Sequence, residues 1–392
     1  MDYRHLDAIE AVLEGAVSCG KLAGASCIVS ASGKRLGSWS AGYADIAAQK
    51  KFGTDTICRL FSLTKPVTSV AAMILLERGQ LDLADNVADI IPEFTNPAVC
   101  SDGKTALSPR PVLIQNLLDM TSGCTYGGDG NESERRTSAL LDRMNRSAAG
   151  DNSVTTMEFA RSLADIPLSF VPGTDYQYGL SADIMGAVIE AVSGMSFGEF
   201  LRKNIFAPLG MDDTGFYVPA EKAGRLSKVY AAESGGLDEF TGCHLGIQNG
   251  MRNPPAFESG GAGLVSTAED YIRFCRMLSE GGSLDGIRIL SGKTVRFLSS
   301  SVLPPALQSR FDMKMGHLSG YSYRNFMRVC REPGMVCAVT SKGEFGWDGW
   351  LGPYMSADPE NSLSVVLMMQ LAGAGLTGTA RRIKNIVYTM EE

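Results

Sequence analysis

Apolar residues recur at helical spacing from Leu6 to Ala16, and the chain then changes period. Between Ala25 and Tyr43 two short strand-like runs flank Ala31-Ser32-Gly33-Lys34, which predicts a hairpin. After Phe61 the pattern turns helical. Pro66 suits the first turn of a helix that runs through Val70, Ala71, Ile74 and Leu75 and stops at Gly79. Helical spacing also covers Leu113–Met120, Met157–Leu163, Ala182–Val192 and Phe197–Ile205. The segment from Cys124 to Ser153 is polar and rich in Gly, Asn and Ser, and reads as a long surface excursion. Thr267 with Asp270 opens a further helix that ends near Gly281-Gly282. Beyond about Arg328 strand signals return at Met335–Thr340, Phe345–Gly349, Tyr354–Ala357 and Leu363–Gln370, and a last helix spans Thr379 to Met390. Strands at both ends with helices between predict an α+β fold. Residues 1–60 and 225–392 would build one split domain around an antiparallel sheet flanked by helices, and residues 61–224 a mainly helical domain.

Composition narrows the chemistry. In 392 residues, 44% hydrophobic and 20% charged, there is ample material for a packed core. The 36 basic against 43 acidic residues give a net charge of −7, which argues against a nucleic-acid partner. The nine cysteines include no C-x-x-C pair, so zinc-ligand spacing is absent and free thiols in a reducing cytoplasm are expected. The start, from Met1 to His5, shows no secretory pattern, and the longest apolar stretches are too short for a membrane span. Only three histidines occur, His5, His244 and His317, so a histidine-based mechanism or metal site would have few candidates. No metal or cofactor is expected.

Ser62-Leu63-Thr64-Lys65 is the strongest local signal. Side chains three apart on a helix share a face, so the Lys65 amine can reach the Ser62 hydroxyl. A serine needs a base beside it, and a buried lysine kept neutral can serve. Alone, the pattern is weak: it also fits a helix cap with a surface lysine, and Ser101-Asp102-Gly103-Lys104 repeats it in a polar loop. Tyr178, in Tyr178-Gly179-Leu180-Ser181, stands where a loop enters a helix and can project into a cleft, although a packed aromatic reads the same. Gly346-Trp347-Asp348-Gly349-Trp350 places glycines inside a strand, where a ligand or another backbone often comes close. Gly194-Met195-Ser196-Phe197-Gly198 has the spacing of a nucleophile elbow but follows a helix, so Gly194 reads as a C-cap and Ser196 as an N-cap. Gly260–Gly263 lacks the Gly-Lys-Ser/Thr of a phosphate loop and reads as a tight turn; His244 and His317 read as loop or surface residues.

Taken together and in order, these segments resemble the serine β-lactamase and penicillin-binding-protein superfamily. The resemblance spans nearly the whole chain, through Phe61–Pro66, Leu117–Gly123, Phe170-Val171-Pro172-Gly173, Tyr178, Gly260–Leu264 and the final strand and helix. It implies the β-lactamase/transpeptidase-like fold, with the active site at the seam of the two domains. Within the superfamily the chain is most similar to the class C β-lactamase-like branch that holds family VIII carboxylesterases. Class C β-lactamases carry Tyr-x-Asn, where this chain has Leu180, and Lys-Thr-Gly, where it has Trp347-Asp348-Gly349. Losing that cation removes charge-assisted recognition of an anionic substrate, and Asp348 would repel one.

The resemblance implies acyl transfer: Ser62 attacks a carbonyl, Lys65 and Tyr178 share the proton, and the backbone N–H groups of Ser62 and Trp350 hold the oxyanion. Trp347, Asp348, Gly349 and Leu180 would line the substrate pocket. The expected activity is hydrolysis of small, neutral or apolar carboxylic esters. A D-amino-acid amidase or aminopeptidase, an acyltransferase, and a non-catalytic peptide or β-lactam sensor remain alternatives on the same scaffold.

Overall fold

The computed structural model describes residues 4–101, 104–148, 150, 153–233 and 236–390. Eight strands form one sheet: β1 (Gly24–Ala31), β2 (Lys34–Asp45), β3 (Lys50–Lys51), β4 (Tyr321–Arg324), β5 (Met327–Cys330), β6 (Phe345–Asp348), β7 (Tyr354–Asp358) and β8 (Leu363–Met369). Their order is β4-β5-β6-β7-β8-β1-β2-β3, antiparallel throughout. The two ends of the chain meet at β1 and β8, in register from Ala25 opposite Met369 to Ala31 opposite Leu363.

The principal helices are α1 (Ala8–Ser18), α2 (Lys65–Glu77), α3 (Glu132–Ala148), α4 (Ser181–Ser193), α5 (Ala268–Ser279) and α6 (Gly378–Tyr388). Both faces of the central strands are covered, which is why every residue of β8 is buried and its sequence is nearly all apolar. Leu363, Val365, Leu367 and Met369 pack with Ile9 and Leu13 of α1 and Ile383 and Val387 of α6. Val366 and Met368 point the other way, into the main core. On that side Ser279 Oγ of α5 lies 2.7 Å from Ser364 Oγ, a polar pair satisfied inside an apolar layer. Helix α2 is buried from Lys65 to Leu75 and runs through the middle of the helical part, packed against α4.

Three expectations need correcting. The segment 335–340 forms no strand: Pro333–Met335 is a short 3-10 turn, because proline fixes φ and offers no N–H to a ladder. The sheet edge is instead the hairpin β4–β5, which begins before Arg328. The excursion between Cys124 and Ser153 contains a helix of 17 residues, α3. Its mean composition is polar, but Thr137, Leu140, Leu141, Met144 and Ala148 recur at helical spacing and are buried as one stripe. Ser101 and Lys104 close a hairpin between Ala98–Ser101 and Lys104–Leu107, rather than an open loop. Asp102 and Gly103 lie outside the described residues, as do Met1 to Tyr3. Elsewhere Gly194 ends α4 at φ +68° and Ser196 Oγ accepts the Glu199 N–H at 3.2 Å, so the apparent nucleophile elbow is a pair of helix caps. Among the described residues no single helix is long and apolar enough to cross a membrane.

Candidate active site

Ser62 lies on a 3-10 turn, Phe61–Thr64, that runs straight into α2, with Pro66 in the helix's first turn. Phe61 holds φ at +45°, a left-handed conformation uncommon for a bulky residue and one that surrounding structure must enforce. The enforcement is visible: the Phe61 ring is buried against Trp350 at 5.0 Å and His244 at 5.7 Å, and Leu60 is tied to Leu264 by a backbone bond of 2.8 Å. The turn leaves the Ser62 hydroxyl half-buried at the floor of a cavity of about 460 Å³.

Lys65 is fully buried, and its Nζ donates to Ser62 Oγ at 3.1 Å, to Tyr126 OH at 3.1 Å and to the Gly261 carbonyl at 2.9 Å. None of these acceptors is charged. Burial pushes the amine down to about 8, with the Asp183 and Asp348 carboxylates opposing the shift from farther off. The Gly260–Gly263 turn is therefore part of the site, since Gly261 supplies a carbonyl to the amine. Gly260 is required there, because a Cβ on it would stand 2.2 Å from the Ala182 carbonyl oxygen. Asp183 of α4 fixes the same turn by accepting the Gly261 N–H at 3.1 Å and the Ser259 hydroxyl.

Tyr178 faces Ser62 from the entrance of α4. Its hydroxyl accepts a hydrogen bond from Trp347 Nε1 at 2.8 Å, and Lys65 Nζ lies 4.8 Å from its ring centroid. Burial pushes the phenol above its usual range, opposed by its hydrogen bonds with Ser62 and Trp347. Tyr126 packs on Tyr178, ring centroids 5.6 Å apart, and shares Lys65. Strand β6 closes the other wall. A Cβ on Gly349 would stand 2.2 Å from the Leu60 carbonyl oxygen, so only glycine lets the strand end lie against the backbone that carries Ser62. Among the described residues neither the Ser62 nor the Trp350 N–H has a hydrogen-bond acceptor.

A family model described as Beta-lactamase matches residues 9–387. The chain belongs to that family. The esterase EstB of Burkholderia gladioli is 29% identical over 386 residues, covering 94% of this chain and 91% of that protein. The solved structure of EstCE1, described as a hydrolase with promiscuous acyltransferase activity, superposes with a TM-score of 0.84 at 25% identity, covering 98% of this chain and 99% of that one. A family VIII carboxylesterase shares the fold at TM-score 0.70 and 19% identity, covering 98% of this chain and 97% of that one.

In this Beta-lactamase-family scaffold the structure brings Ser62, Lys65, Tyr178, Trp347, Asp348, Gly349 and Trp350 together and leaves Leu180 out. Leu180 is 2% exposed and packs in the core beneath α4, because the chain has already turned into the helix by that position. Residues that the sequence did not place in the cleft also line it. Tyr126 sits three residues beyond the Leu117–Gly123 stretch, in a segment with no periodicity to orient it. His244 stacks on Trp350 at 4.0 Å, and His317 stands at the rim. Burial lowers the pKa of both histidines, with Arg381 adding to the effect at His317. Leu141 of α3, Leu245 and Met315 complete the apolar lining. Helix α3 thus contributes a cleft wall, tied across by Asn145 Oδ1 accepting the Gly246 N–H at 2.8 Å.

Proposed function

We propose that this chain is a serine hydrolase that cleaves carboxylic esters of small, neutral or apolar substrates through an acyl-enzyme on Ser62. The observation that carries the reading is the buried Lys65 amine, hydrogen-bonded to Ser62 Oγ and lowered toward neutrality with no carboxylate in contact. A neutral Lys65 takes the Ser62 proton as Oγ bonds to the ester carbonyl carbon, and the carbonyl π electrons move onto oxygen. The free N–H groups of Ser62 and Trp350 suit that oxyanion. Collapse breaks the bond to the alcohol, which leaves with the proton, and water repeats the sequence to release the acid. Lys65 Nζ, 3.1 Å from Ser62 Oγ, is assigned the first proton, and Tyr178, which faces Ser62 across the cleft, its delivery to the leaving oxygen. Relatives that are esterases agree with ester chemistry, and an alcohol in place of water would give acyl transfer from the same intermediate.

The cleft lining is mostly apolar and includes no lysine or arginine to grip an anionic substrate. Slow turnover of β-lactams is expected. The test is a panel of p-nitrophenyl acyl esters, a chromogenic cephalosporin and D-aminoacyl amides on wild type and Ser62→Ala, with a fluorophosphonate probe to label Ser62. Ester turnover and labelling that both vanish in the variant support the reading. Rapid cephalosporin cleavage without ester cleavage would overturn it.

A further inference from the structure

The cleft contains a carboxylate that acyl transfer at Ser62 does not use. Asp348 ends β6 half-buried in the wall of the same cavity as Ser62, beside Trp347 and Trp350. Among the described residues no donor hydrogen-bonds its carboxylate. The nearby cations make their hydrogen bonds to other groups. Arg328 on β5 is buried, donates through Nη2 to Glu344 and to the Met355 carbonyl and keeps an unpartnered Nη1, so it acts on Asp348 by charge without a hydrogen bond, while Lys65 donates to Ser62, Tyr126 and Gly261. The other titratable groups around it are Tyr354 opposite on β7, Tyr178 and Tyr126 on the helical side, and His244 and His317 on the cleft lining. Of the lining residues, Asp348 alone carries a formal charge at pH 8. Aromatic rings line the same cavity: Trp347, Trp350, Tyr126, Tyr178 and His244. Aromatic faces are electron-rich, and a weakly hydrated organic cation gains from them and from a carboxylate together, whereas an anion gains from neither.

Resting on the reading of Ser62 as the nucleophile, we propose that the cleft selects esters bearing an alkylammonium group, held between the Asp348 carboxylate and the aromatic faces of the same cavity. This extends the substrate class from neutral esters to basic ones and sets a direction of charge selectivity. Burial pushes Asp348 up to about 6, opposed by Arg328 and Lys65, so the preference is full above pH 7 and fades as pH falls through about 6.

The experiment compares isosteric pairs that differ in charge. Acetylcholine and 3,3-dimethylbutyl acetate place the cation on the alcohol side; p-nitrophenyl 6-aminohexanoate and heptanoate place it on the acyl side. In wild type at pH 8 the ammonium member of at least one pair is expected to show about tenfold higher kcat/KM. That ratio should fall toward one in Asp348→Asn, and in wild type itself on going from pH 8 to pH 5, a readout that needs no variant to fold. A wild-type ratio near one in both pairs, or a ratio unmoved by Asp348→Asn and by pH, would overturn the proposal. Choline binding, followed by tryptophan fluorescence, separates the two readings. If no ester is turned over and Ser62 takes no probe, the hydrolase reading falls, while choline bound by wild type and about tenfold more weakly by Asp348→Asn still supports the cation site. Equal binding by both, or none, sinks it.

Discussion

Among the described residues two lysines are buried, and their neighbourhoods could hardly differ more. Lys384 of α6 donates to Glu344 Oε2 at 2.7 Å and to Tyr321 OH at 2.6 Å. Burial opposes its charge, but Glu344 chiefly, with Tyr354 and Tyr321, holds the amine above its usual value. Lys65 is as deeply buried, yet its partners are two hydroxyls and a carbonyl, and burial prevails. The Glu344 cluster joins the terminal helix to the sheet just before β6, and Lys65 meets the opposite side of that strand through Tyr178 and Trp347. A buried cation with a carboxylate in contact is structural; one offered only neutral acceptors is ready to trade its proton. Partner chemistry, and not depth, separates scaffold from site.

Lys65→Met should break this contrast most severely. Catalysis is expected to fall about 10⁴-fold in kcat, the upper range for loss of a proton-transfer group, while the unfolding midpoint changes little, since the loss of three neutral hydrogen bonds is offset by no longer desolvating an amine that has no carboxylate in contact. A variant that unfolds early yet keeps its turnover would assign Lys65 to the scaffold instead. Glu344→Gln should do the reverse and cost about 3–5 kcal/mol in urea unfolding, because Arg328 and Lys384 are left buried without their carboxylate. The sign with pH follows. Glu344 is held down to about 2 from 4.5, so its stabilisation is whole above 4.5 and disappears as pH falls toward 2. Wild type and variant should therefore differ at pH 7 and converge in strong acid; parallel curves would count against the cluster.

The pH profile with a neutral ester sharpens the Lys65 half. With the amine near 8, kcat/KM should rise about tenfold per unit below that point and level off above it. A flat profile between pH 6 and 9 would remove Lys65 as the base. The smallest effect is expected from Trp347→Phe, which keeps a ring in the wall but deletes the donor to Tyr178. A loss of about 1 kcal/mol, roughly fivefold and in kcat rather than KM, corresponds to one neutral hydrogen bond. A change confined to KM would make Trp347 a wall only.

Much of this was legible in the chain because it is local. Ser62 and Lys65 share a face at i, i+3 whatever surrounds them, and the Ser32-Gly33 hairpin and the apolar run of β8 carry their own periods. What sequence could not reach was set by long-range packing. His244 and His317 enter the cleft from segments far from Ser62, and no pattern along either segment points them inward. Tyr126 lies in a Gly-rich stretch without period. Leu180, two residues from Tyr178, is expected in the site from its place in the Tyr-x-Asn pattern of the resemblance, yet at the start of α4 it is buried in the core. Helix α3 was hidden because its charged face outweighed a five-residue buried stripe in mean polarity.

That same helix makes the cleft changeable in a particular way. Ser62, Lys65 and Tyr178 are carried by closely packed backbone, with glycines at 260 and 349 that admit no methyl. Leu141, Leu245 and Met315 sit on an outer helix and two loops, joined to one another by a few bonds such as Asn145 to Gly246. Selection for a new ligand can therefore work on the outer wall as a replaceable fitting, residue by residue or by whole-segment exchange, while the centre behind it stays as it is.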